Sequence, residues 1–166
     1  MKTEVLTILD HQDIQNKIRR IAYQIYESNV DEKEIILAGV VQNGYVIAER
    51  LKVILEEVSD LKCVLCKVKM NKTAPQGTVT TSLDPADYQD KSLVLIDDVL
   101  NSGATLIYGV KHFLNVPLKQ FKTAVLVNRN HKKYPVKADY KGISLSTSIN
   151  ENVVVTFSPK MKVTLE

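Results

Sequence analysis

The sequence predicts an α/β fold in which a parallel-core sheet is flanked by helices. Short aliphatic runs bounded by polar residues recur along the chain, and they alternate with longer stretches whose apolar residues follow the 3.6-residue helical period. Strands that alternate with amphipathic helices typically form a parallel sheet with helices on its faces. The chain has 166 residues, 45% of them hydrophobic, and we expect residues 1–166 to form a single domain.

The first half of the chain contains two predicted helices and two predicted strands. The first helix follows Asp10, whose short carboxylate is a favourable N-cap. The glycine turn Gln42-Asn43-Gly44 separates the first strand from the second helix, which makes a βα unit. In order, the elements are a helix from Ile14 to Tyr26, a strand from Ile35 to Val41, a helix from Val46 to Val58 and a strand from Cys63 to Met70.

A polar tract from Asn71 to Asp90 follows, with two prolines and little apolar content. A loop of this length inside a compact domain is usually functional or mobile. Two interpretations stay open: an ordinary hairpin excursion, or a lid that closes over a reactive centre.

The second half of the chain begins with the most informative stretch, Leu93 to Thr105. Four aliphatic residues, Leu93 to Ile96, predict a strand buried on both faces, and we expect the chain to turn after them. A helix with apolar residues from Leu106 to Leu114 comes next and cannot continue through Pro117. The later predicted strands are Ala124 to Val127, Val153 to Val155 and Met161 to Leu165.

The acidic pair Asp97 and Asp98 stands at the carboxyl end of the Leu93 strand, where open α/β sheets bind ligands. We expect these carboxylates to be exposed and to accept hydrogen bonds from vicinal hydroxyls, directly or through a metal. Small and hydroxylated residues then precede the predicted helix, whose first N–H groups can face an anion. This phosphate loop consists of Asn101, Ser102, Gly103, Ala104 and Thr105.

The stretch from Leu93 to Thr105 resembles the signature of the type I phosphoribosyltransferases, which bind 5-phosphoribosyl-1-pyrophosphate (PRPP). The resemblance implies the type I phosphoribosyltransferase fold, with Asp97 and Asp98 on the ribose of PRPP and the phosphate loop on its 5′-phosphate. It also implies Mg²⁺ as the cofactor, chelated by PRPP and not ligated directly by the protein. The tract from Asn71 to Asp90 stands where that family carries a flexible loop that shields the reaction from water.

Most of the chain is similar to one branch of this family, the pyrimidine-operon attenuation regulators that also act as uracil phosphoribosyltransferases. The resemblance implies that Gln42, Asn43 and Gly44 form the pyrophosphate loop. It further implies that Asp139, Tyr140 and Lys141 form a small hood over the base. The shared stretches, in the same order as in that branch, are Ile8 to Asp10, Arg20 to Ala22, Ala124 to His131, Ala138 to Gly142 and Ser146 to Ser148.

The chain departs from that branch where cations are expected. Asn43 and Ala104 each replace an arginine, and Lys69 to Lys72 replaces a Tyr-Arg-Asp-Asp segment. Loss of one donor that stabilises developing charge can cost on the order of a hundredfold in rate. We therefore expect reduced activity, with Lys69 and Lys72 as the available compensation, although lysine lacks the bidentate fork of arginine.

The same resemblance places basic residues where RNA-binding members contact RNA. Such residues supply charge for phosphate contacts, but they serve equally well to keep a surface soluble, and both interpretations stay open. The candidate RNA contacts are Arg19, Arg20, Arg129, Lys132 and Lys137, with Lys133 beside them.

The main functional hypothesis is a PRPP-binding protein that transfers phosphoribosyl to a pyrimidine base, uracil. One alternative is a UMP-sensing RNA-binding regulator of pyrimidine genes, with an mRNA leader as partner and little or no catalysis. A further alternative is a pseudoenzyme that binds another protein. We expect a homodimer or a higher homo-oligomer.

Charge and hydropathy bear on location. A net charge of +3 and an isoelectric point near 8.7 permit phosphate or RNA binding without requiring it. No apolar run approaches the roughly 18 to 20 residues of a membrane span, and the Met1-Lys2-Thr3-Glu4 start lacks the core of a signal peptide. We expect a cytoplasmic protein with no membrane partner.

Overall fold

The computed structural model describes residues 4–166, so most of the Met1-Lys2-Thr3-Glu4 start lies outside the described residues. Helices and strands alternate along these residues as the sequence predicts. The elements are β1 (Leu6–Leu9), α1 (His11–Glu27), β2 (Glu34–Val40), α2 (Asn43–Val58), β3 (Lys62–Lys69), β4 (Thr80–Thr81), α3 (Pro85–Tyr88), β5 (Ser92–Leu100), α4 (Ala104–Phe113), β6 (Gln120–Arg129), β7 (Tyr140–Leu145), β8 (Val153–Thr156) and β9 (Lys162–Leu165).

The main sheet has the strand order β4-β3-β2-β5-β6-β7. All neighbouring strands pair in parallel except β4, which pairs with β3 in the antiparallel direction. Strand β5 lies inside the sheet, where Leu37 pairs with Val94 on one side and Ala124 with Ile96 on the other. The prediction of a parallel core that contains the Leu93 strand is confirmed.

Apolar clusters cover both faces of this sheet. On one face, Ile35 and Leu37 of β2 pack in a cluster with the buried sides of α1 and α2. On the other face, Ile36 and Ala38 pack in a cluster that includes Leu106 and Phe113 of α4. Cys63 and Cys66, three positions apart on β3, fall into these two opposite clusters, because strand side chains alternate between faces.

Helix α1 begins where the sequence predicts. The backbone N–H of Asp13 donates to Asp10 Oδ1 at 2.8 Å, and the N–H of Asp10 donates back to Asp13 Oδ2 at 3.0 Å. This capping box satisfies helix-start donors that have no acceptor within the helix. The buried face of the helix consists of Ile14, Ile18, Ile21, Ala22 and Ile25.

A second, three-stranded sheet has the antiparallel order β1-β9-β8. Its buried residues Val155 and Val163, together with Met161 just before β9, belong to the same cluster as α1 and α2. The sequence predicts β8 and β9 but not β1, which has only four residues, two of them exposed. Strand β8 of this small sheet contacts β5 of the main sheet.

Two further elements differ from the sequence prediction. The tract from Asn71 to Asp90 is irregular only up to Val79, because Thr81 then pairs with Val68 and Tyr88 is fully buried. Strand β7 was not predicted, because it has no continuous aliphatic run and contains Gly142. In the part of the chain that the structure describes, no helix is long and apolar enough to cross a membrane.

Candidate functional site

A cavity of about 260 Å³ opens at the carboxyl end of β5. The acidic pair and the phosphate loop, which the sequence analysis places in one site, line it together. Lys72 and Val153 line it too, from the irregular tract and from β8. The complete lining is Lys72, Asp97, Asp98, Val99, Leu100, Asn101, Ser102, Gly103, Ala104, Thr105, Leu106 and Val153.

The acidic pair lies within β5 and not in a turn after it, which differs from our prediction. Asp97 pairs with Val125, and the strand continues until Leu100 pairs with Asn128. Asp97 is therefore only 1% exposed and the Asp98 side chain only 16%, so the expectation that both carboxylates are exposed is wrong. The backbone N–H of Asp98 donates to Asp97 Oδ1 at 2.9 Å, and that of Val99 donates to Asp98 Oδ1 at 2.8 Å.

Lys72 reaches from the irregular tract to the acidic pair. Its Nζ lies 2.9 Å from Asp97 Oδ1 and 3.6 Å from Asp98 Oδ1, while 41% of the Lys72 side chain remains exposed. A departure from the family pattern thus supplies a cation to the two carboxylates proposed for ribose. The sequence suggested this lysine only as a replacement for missing arginines, because nothing local showed that it folds back onto β5.

The three charges change one another's protonation. Burial, followed by the neighbouring Asp98 carboxylate, raises the pKa of Asp97 to about 7. Burial also acts to raise the pKa of Asp98, but the Lys72 ammonium and the hydrogen bond from Asn43 outweigh it, so that pKa is lowered. Burial acts to lower the pKa of Lys72, yet the two carboxylates raise it. Asp98 and Lys72 are therefore charged at neutral pH, whereas Asp97 titrates there.

The predicted pyrophosphate loop lies directly beside the acidic pair. A Cβ atom on Gly44 would lie 2.5 Å from the carbonyl oxygen of Ile96, so only glycine permits this close approach of α2 to β5. Asn43 Nδ2 donates to Asp98 Oδ2 at 2.9 Å and to the carbonyl oxygen of Val155 at 3.0 Å. Asn43 therefore joins β5 to β8, while Gln42 precedes the first residue of α2.

The phosphate loop turns through Gly103 into α4. Gly103 has φ of 88°, and a Cβ atom there would lie 2.6 Å from Val136 Cγ1, so the turn requires glycine on two counts. Ala104 N donates to Ser102 Oγ at 3.2 Å. The first N–H groups of a helix have no intrahelical acceptor, and Ala104, Thr105 and Leu106 present this end of α4 to the cavity. The loop is built to receive an anion.

The structure does not bring the predicted base hood to this cavity. Tyr140 and Lys141 open β7 at the edge of the main sheet, where Tyr140 pairs with Ala124. Asp139 Oδ2 accepts a hydrogen bond of 2.9 Å from Thr123 N, which fixes the segment to β6. Val153 of β8, in the small sheet, lines the cavity. Nothing in the sequence pointed to Val153, because an apolar strand residue carries no functional signal.

Arg129 is likewise misassigned as a candidate RNA contact. Its side chain is buried, with 8% exposure, and all the hydrogen bonds that it donates go to oxygen atoms of this chain. A guanidinium used in this way is not available to phosphates of an RNA backbone.

The other candidate RNA residues lie on the surface. Arg20 Nη2 donates to the carbonyl oxygens of Lys141, at 2.7 Å, and Gly142, at 2.6 Å, and Arg19 stacks over the Tyr23 ring at 5.7 Å. Lys132 and Lys137 are exposed, as is Lys133. Five of the six candidate basic residues thus remain at the surface. Of these five, Arg20 is the one whose side chain donates to backbone carbonyls of the described residues.

The donor set of the cavity suits a metal ion that arrives with its ligand. Within residues 4–166 no group of three or more His, Cys, Asp or Glu side chains is placed to hold a metal. Two carboxylates and a phosphate-sized loop face the same space. Mg²⁺ usually keeps several waters and takes one or two carboxylates together with substrate phosphates, so Asp97 and Asp98 fit that mode.

Comparison with known proteins places these features in a family. The model of the phosphoribosyl transferase domain matches residues 4–161. The chain is 34% identical over 158 residues to the bifunctional protein PyrR of Bacillus pumilus, covering 89% of this chain and 88% of that protein. It is 33% identical over 156 residues to the bifunctional protein PyrR of Clostridium acetobutylicum, with the same coverage of both chains.

Solved structures share the fold at lower identity. The hypoxanthine phosphoribosyltransferase of Trypanosoma cruzi superimposes with a TM-score of 0.78 at 15% identity, covering 96% of this chain and 94% of that one. A hypoxanthine-guanine phosphoribosyltransferase of Bacillus anthracis gives 0.70 at 20% identity, covering 86% and 84%. The predicted type I phosphoribosyltransferase fold, with a parallel-core sheet and flanking helices, is confirmed.

Proposed function

This chain belongs to the phosphoribosyltransferase family, and on that premise we propose that it binds PRPP and transfers the phosphoribosyl group to a pyrimidine base, uracil. One observation carries the proposal: a single cavity holds both the acidic pair and the phosphate loop at the carboxyl end of β5. The choice of uracil rests on the resemblance to the pyrimidine-operon branch and on the relatives named PyrR.

The residues divide the ligand between them. The ribose hydroxyls of PRPP donate hydrogen bonds to Asp97 and Asp98, once Lys72 has moved from these carboxylates. The 5′-phosphate accepts hydrogen bonds from the first N–H groups of α4 and from the hydroxyls of Ser102 and Thr105. The pyrophosphate extends towards Asn43 and Gly44, at the start of α2.

The reaction exchanges one bond at C1 of the ribose for another. A ring nitrogen of uracil forms a bond to C1, the bond from C1 to the pyrophosphate oxygen breaks, and pyrophosphate leaves with the electron pair. The nitrogen releases its proton to solvent. The protein contributes by orienting the two reactants and by placing donors at the developing charge. Mg²⁺ bound to PRPP supplies neutralisation of the departing pyrophosphate, with Asp97 and Asp98 as the carboxylates within its reach.

Calorimetric titration with PRPP, UMP and GMP, combined with an assay of UMP formation from uracil and PRPP, tests this proposal. Binding of PRPP together with turnover of uracil supports it. Binding of UMP without turnover supports a nucleotide sensor. Binding of none of the three removes the proposed site.

A second candidate function is a UMP-sensing RNA-binding regulator with weak catalysis. Two observations favour it: arginine is absent at Asn43 and Ala104, and Arg19, Lys132, Lys133 and Lys137 are exposed. Binding to a leader RNA of pyrimidine genes, measured at several salt concentrations with and without UMP, tests it. Phosphate contacts predict affinity that falls as salt rises, and a sensor further requires that UMP change the affinity.

A further inference from the structure

Arg129 carries a buried charge that no carboxylate neutralises. No ion pair among residues 4–166 includes this side chain, although it is only 8% exposed. The hydrogen-bond partners of Arg129 are neutral oxygens. Its Nη1 donates to Asn101 Oδ1 at 2.9 Å, and Thr147 Oγ1 lies 3.0 Å from Nε and 2.8 Å from Nη2. Nη2 also donates to the backbone carbonyls of Ser148, at 3.4 Å, and Glu151, at 2.6 Å. A buried charge is costly to leave without a partner of opposite sign.

The contact with Asn101 fixes the orientation of that side chain. A guanidinium has only donors, so the atom of Asn101 that faces Arg129 is its carbonyl oxygen. The Asn101 NH₂ group then points away from Arg129, and Asn101 lines the cavity. No hydrogen bond from this NH₂ group to another residue is found in the described part of the chain. Arg129 therefore leaves the two N–H donors of Asn101, a residue that borders the cavity, without a hydrogen-bond partner among the described residues.

The same guanidinium also bonds the segment that precedes β8. Thr147, Ser148 and Glu151 belong to the segment that leads into β8, whose Val153 lines the cavity. The chain just beyond Arg129 is also hydrogen-bonded to the phosphate loop. The backbone N–H groups of Lys133 and Tyr134 donate to the Ser102 carbonyl oxygen at 2.8 Å and 3.1 Å. The buried Arg129 side chain thus connects the phosphate loop with the segment that leads into β8.

We infer that Arg129 is a positioning residue for the phosphate group of the ligand and acts through Asn101. This inference rests on the proposed function and adds to it. The arginine orients and polarises the Asn101 carboxamide so that its N–H groups bind phosphate oxygens, and its uncompensated charge favours an anion at the loop. Arg129 thereby supplies, from outside the phosphate loop, part of the positive potential that is lost where Ala104 replaces an arginine.

The test compares conservative variants for their affinity for ribose 5-phosphate by calorimetry. Arg129→Lys keeps the charge but replaces separate guanidinium nitrogens, which reach Asn101 and Thr147, with one ammonium, so we expect binding to weaken by roughly threefold to tenfold, as for the loss of one hydrogen bond. Arg20→Lys is the matched control, because Arg20 also donates to carbonyls of this chain but lies outside the cavity. This control should leave the affinity unchanged.

Asn101→Asp separates positioning from a purely structural role. The new carboxylate pairs with Arg129, so the melting temperature should hold or rise. It offers no donor to phosphate and repels it, so ribose 5-phosphate affinity should fall by tenfold or more. In Asn101→Ala, the further change Arg129→Lys should cause no additional loss of affinity.

The outcomes separate this inference from the proposed function. If Arg129→Lys lowers the melting temperature but leaves ribose 5-phosphate affinity at the parent value, or if Asn101→Asp binds as well as the parent, the inference is wrong while the proposed function stands. If the variants behave as expected but the parent forms no UMP from uracil and PRPP, the catalytic proposal is wrong while the inference stands. A parent that binds no ribose 5-phosphate contradicts both.

Discussion

The Lys72 ammonium lies 2.9 Å from Oδ1 of Asp97, so the free protein already holds a cation at the carboxylates that we propose for ribose binding. A second contact, 3.6 Å from Asp98 Oδ1, places the lysine across the acidic pair. This arrangement brings a residue of the irregular tract into the site. A ligand that uses Asp97 and Asp98 must first displace Lys72, or share the carboxylates with it.

Lys72→Met should make ligand binding depend more strongly on Mg²⁺. Without the lysine, the two carboxylates repel an incoming phosphate until a metal ion neutralises them. Because Lys72 is 41% exposed, solvent screens the pair, and we expect the ratio of ribose 5-phosphate affinities with and without Mg²⁺ to grow by about fivefold, or roughly 1 kcal/mol. Calorimetry with and without Mg²⁺ measures this ratio. Lys69→Met is the control, and equal ratios in both variants would contradict a charge role for Lys72.

Asp97→Asn combined with Asp98→Asn should abolish binding of ribose phosphates. Both carboxylates line the cavity, and charge-assisted hydrogen bonds contribute roughly 1.5 to 3 kcal/mol each, so the loss should exceed about a hundredfold. The fold should persist, because the amide oxygens can still accept from the backbone N–H groups of Asp98 and Val99. Calorimetry with PRPP and UMP gives the affinity, and circular dichroism checks the fold. Asp60→Asn, which changes an exposed carboxylate, is the control. If the double variant binds PRPP and UMP as well as this control does, the assignment of Asp97 and Asp98 to ribose is wrong.

The stability of the protein should depend on pH through Asp97. Burial raises its pKa from 3.8 to about 7, so between these values the folded protein binds more protons at this site than the unfolded chain. Stability then falls as pH rises through this window and levels off above it. The free energy of unfolding of the parent, minus that of Asp97→Asn, should decrease from about pH 4 to about pH 7. Urea unfolding at several pH values measures the difference, and an increase with pH contradicts the raised pKa.

Local patterns predicted the elements that bury a continuous apolar face. The period of α1 and the aliphatic run of β5 each depend on neighbouring residues only, so both were predicted. The position of Asp97 inside β5 was not predicted. Two acidic residues after an apolar run indicate the end of a strand, but β5 continues because β6 pairs with it as far as Asn128, and this pairing depends on residues distant in sequence.

The candidate site shows the same division between local and distant information. The acidic pair and the phosphate loop are contiguous in sequence and were predicted together. The contacts of Lys72 and Arg129, by contrast, join residues that are distant in sequence. Lys72 and Asp97 are 25 positions apart, Arg129 and Thr147 are 18 apart, and Arg129 and Asn101 are 28 apart. The position of Val153 at the cavity likewise depends on residues distant in sequence. The placement of residues 139–141 depends on similar contacts: hydrogen bonds between Thr123 and Asp139 hold that segment against β6.

Proteolysis should cut the tract between β3 and β5 in only one part. Residues 71–79 form no strand or helix and are mostly exposed, whereas Thr81 pairs with β3 and Tyr88 is buried. We expect subtilisin to cleave the free protein within residues 71–79 and saturating UMP or PRPP to slow this cleavage, because Lys72 borders the cavity. Mass spectrometry locates the cut. Equal cleavage rates with and without ligand contradict the prediction of a lid, and cleavage within residues 80–90 contradicts the observed anchoring.

The absence of arginine from the phosphate and pyrophosphate loops should favour nucleoside monophosphates. The N–H groups at the start of α4 and the hydroxyls of Ser102 and Thr105 remain for a 5′-phosphate, whereas pyrophosphate relies on cations and Mg²⁺. We expect UMP to bind the parent more tightly than pyrophosphate, as calorimetry with each ligand measures. A parent that forms UMP at about 1 to 1000 per second, the range typical of enzymes, contradicts a site specialised for sensing.

Restoring one arginine tests the cause of this preference. Asn43 is a poor position for it, because its carboxamide joins Asp98 to the Val155 carbonyl, and an arginine there would pair with Asp98, one of the carboxylates that we propose for ribose binding. Ala104 lines the cavity at the start of α4, so Ala104→Arg adds charge without breaking a side-chain contact. One charge-assisted hydrogen bond of roughly 1.5 to 3 kcal/mol predicts pyrophosphate and PRPP affinities about 10 to 150 times higher and a faster uracil reaction. Ala104→Gln offers a donor without the charge and should give a smaller gain; an equal gain would show that hydrogen bonding, and not charge, limits the site.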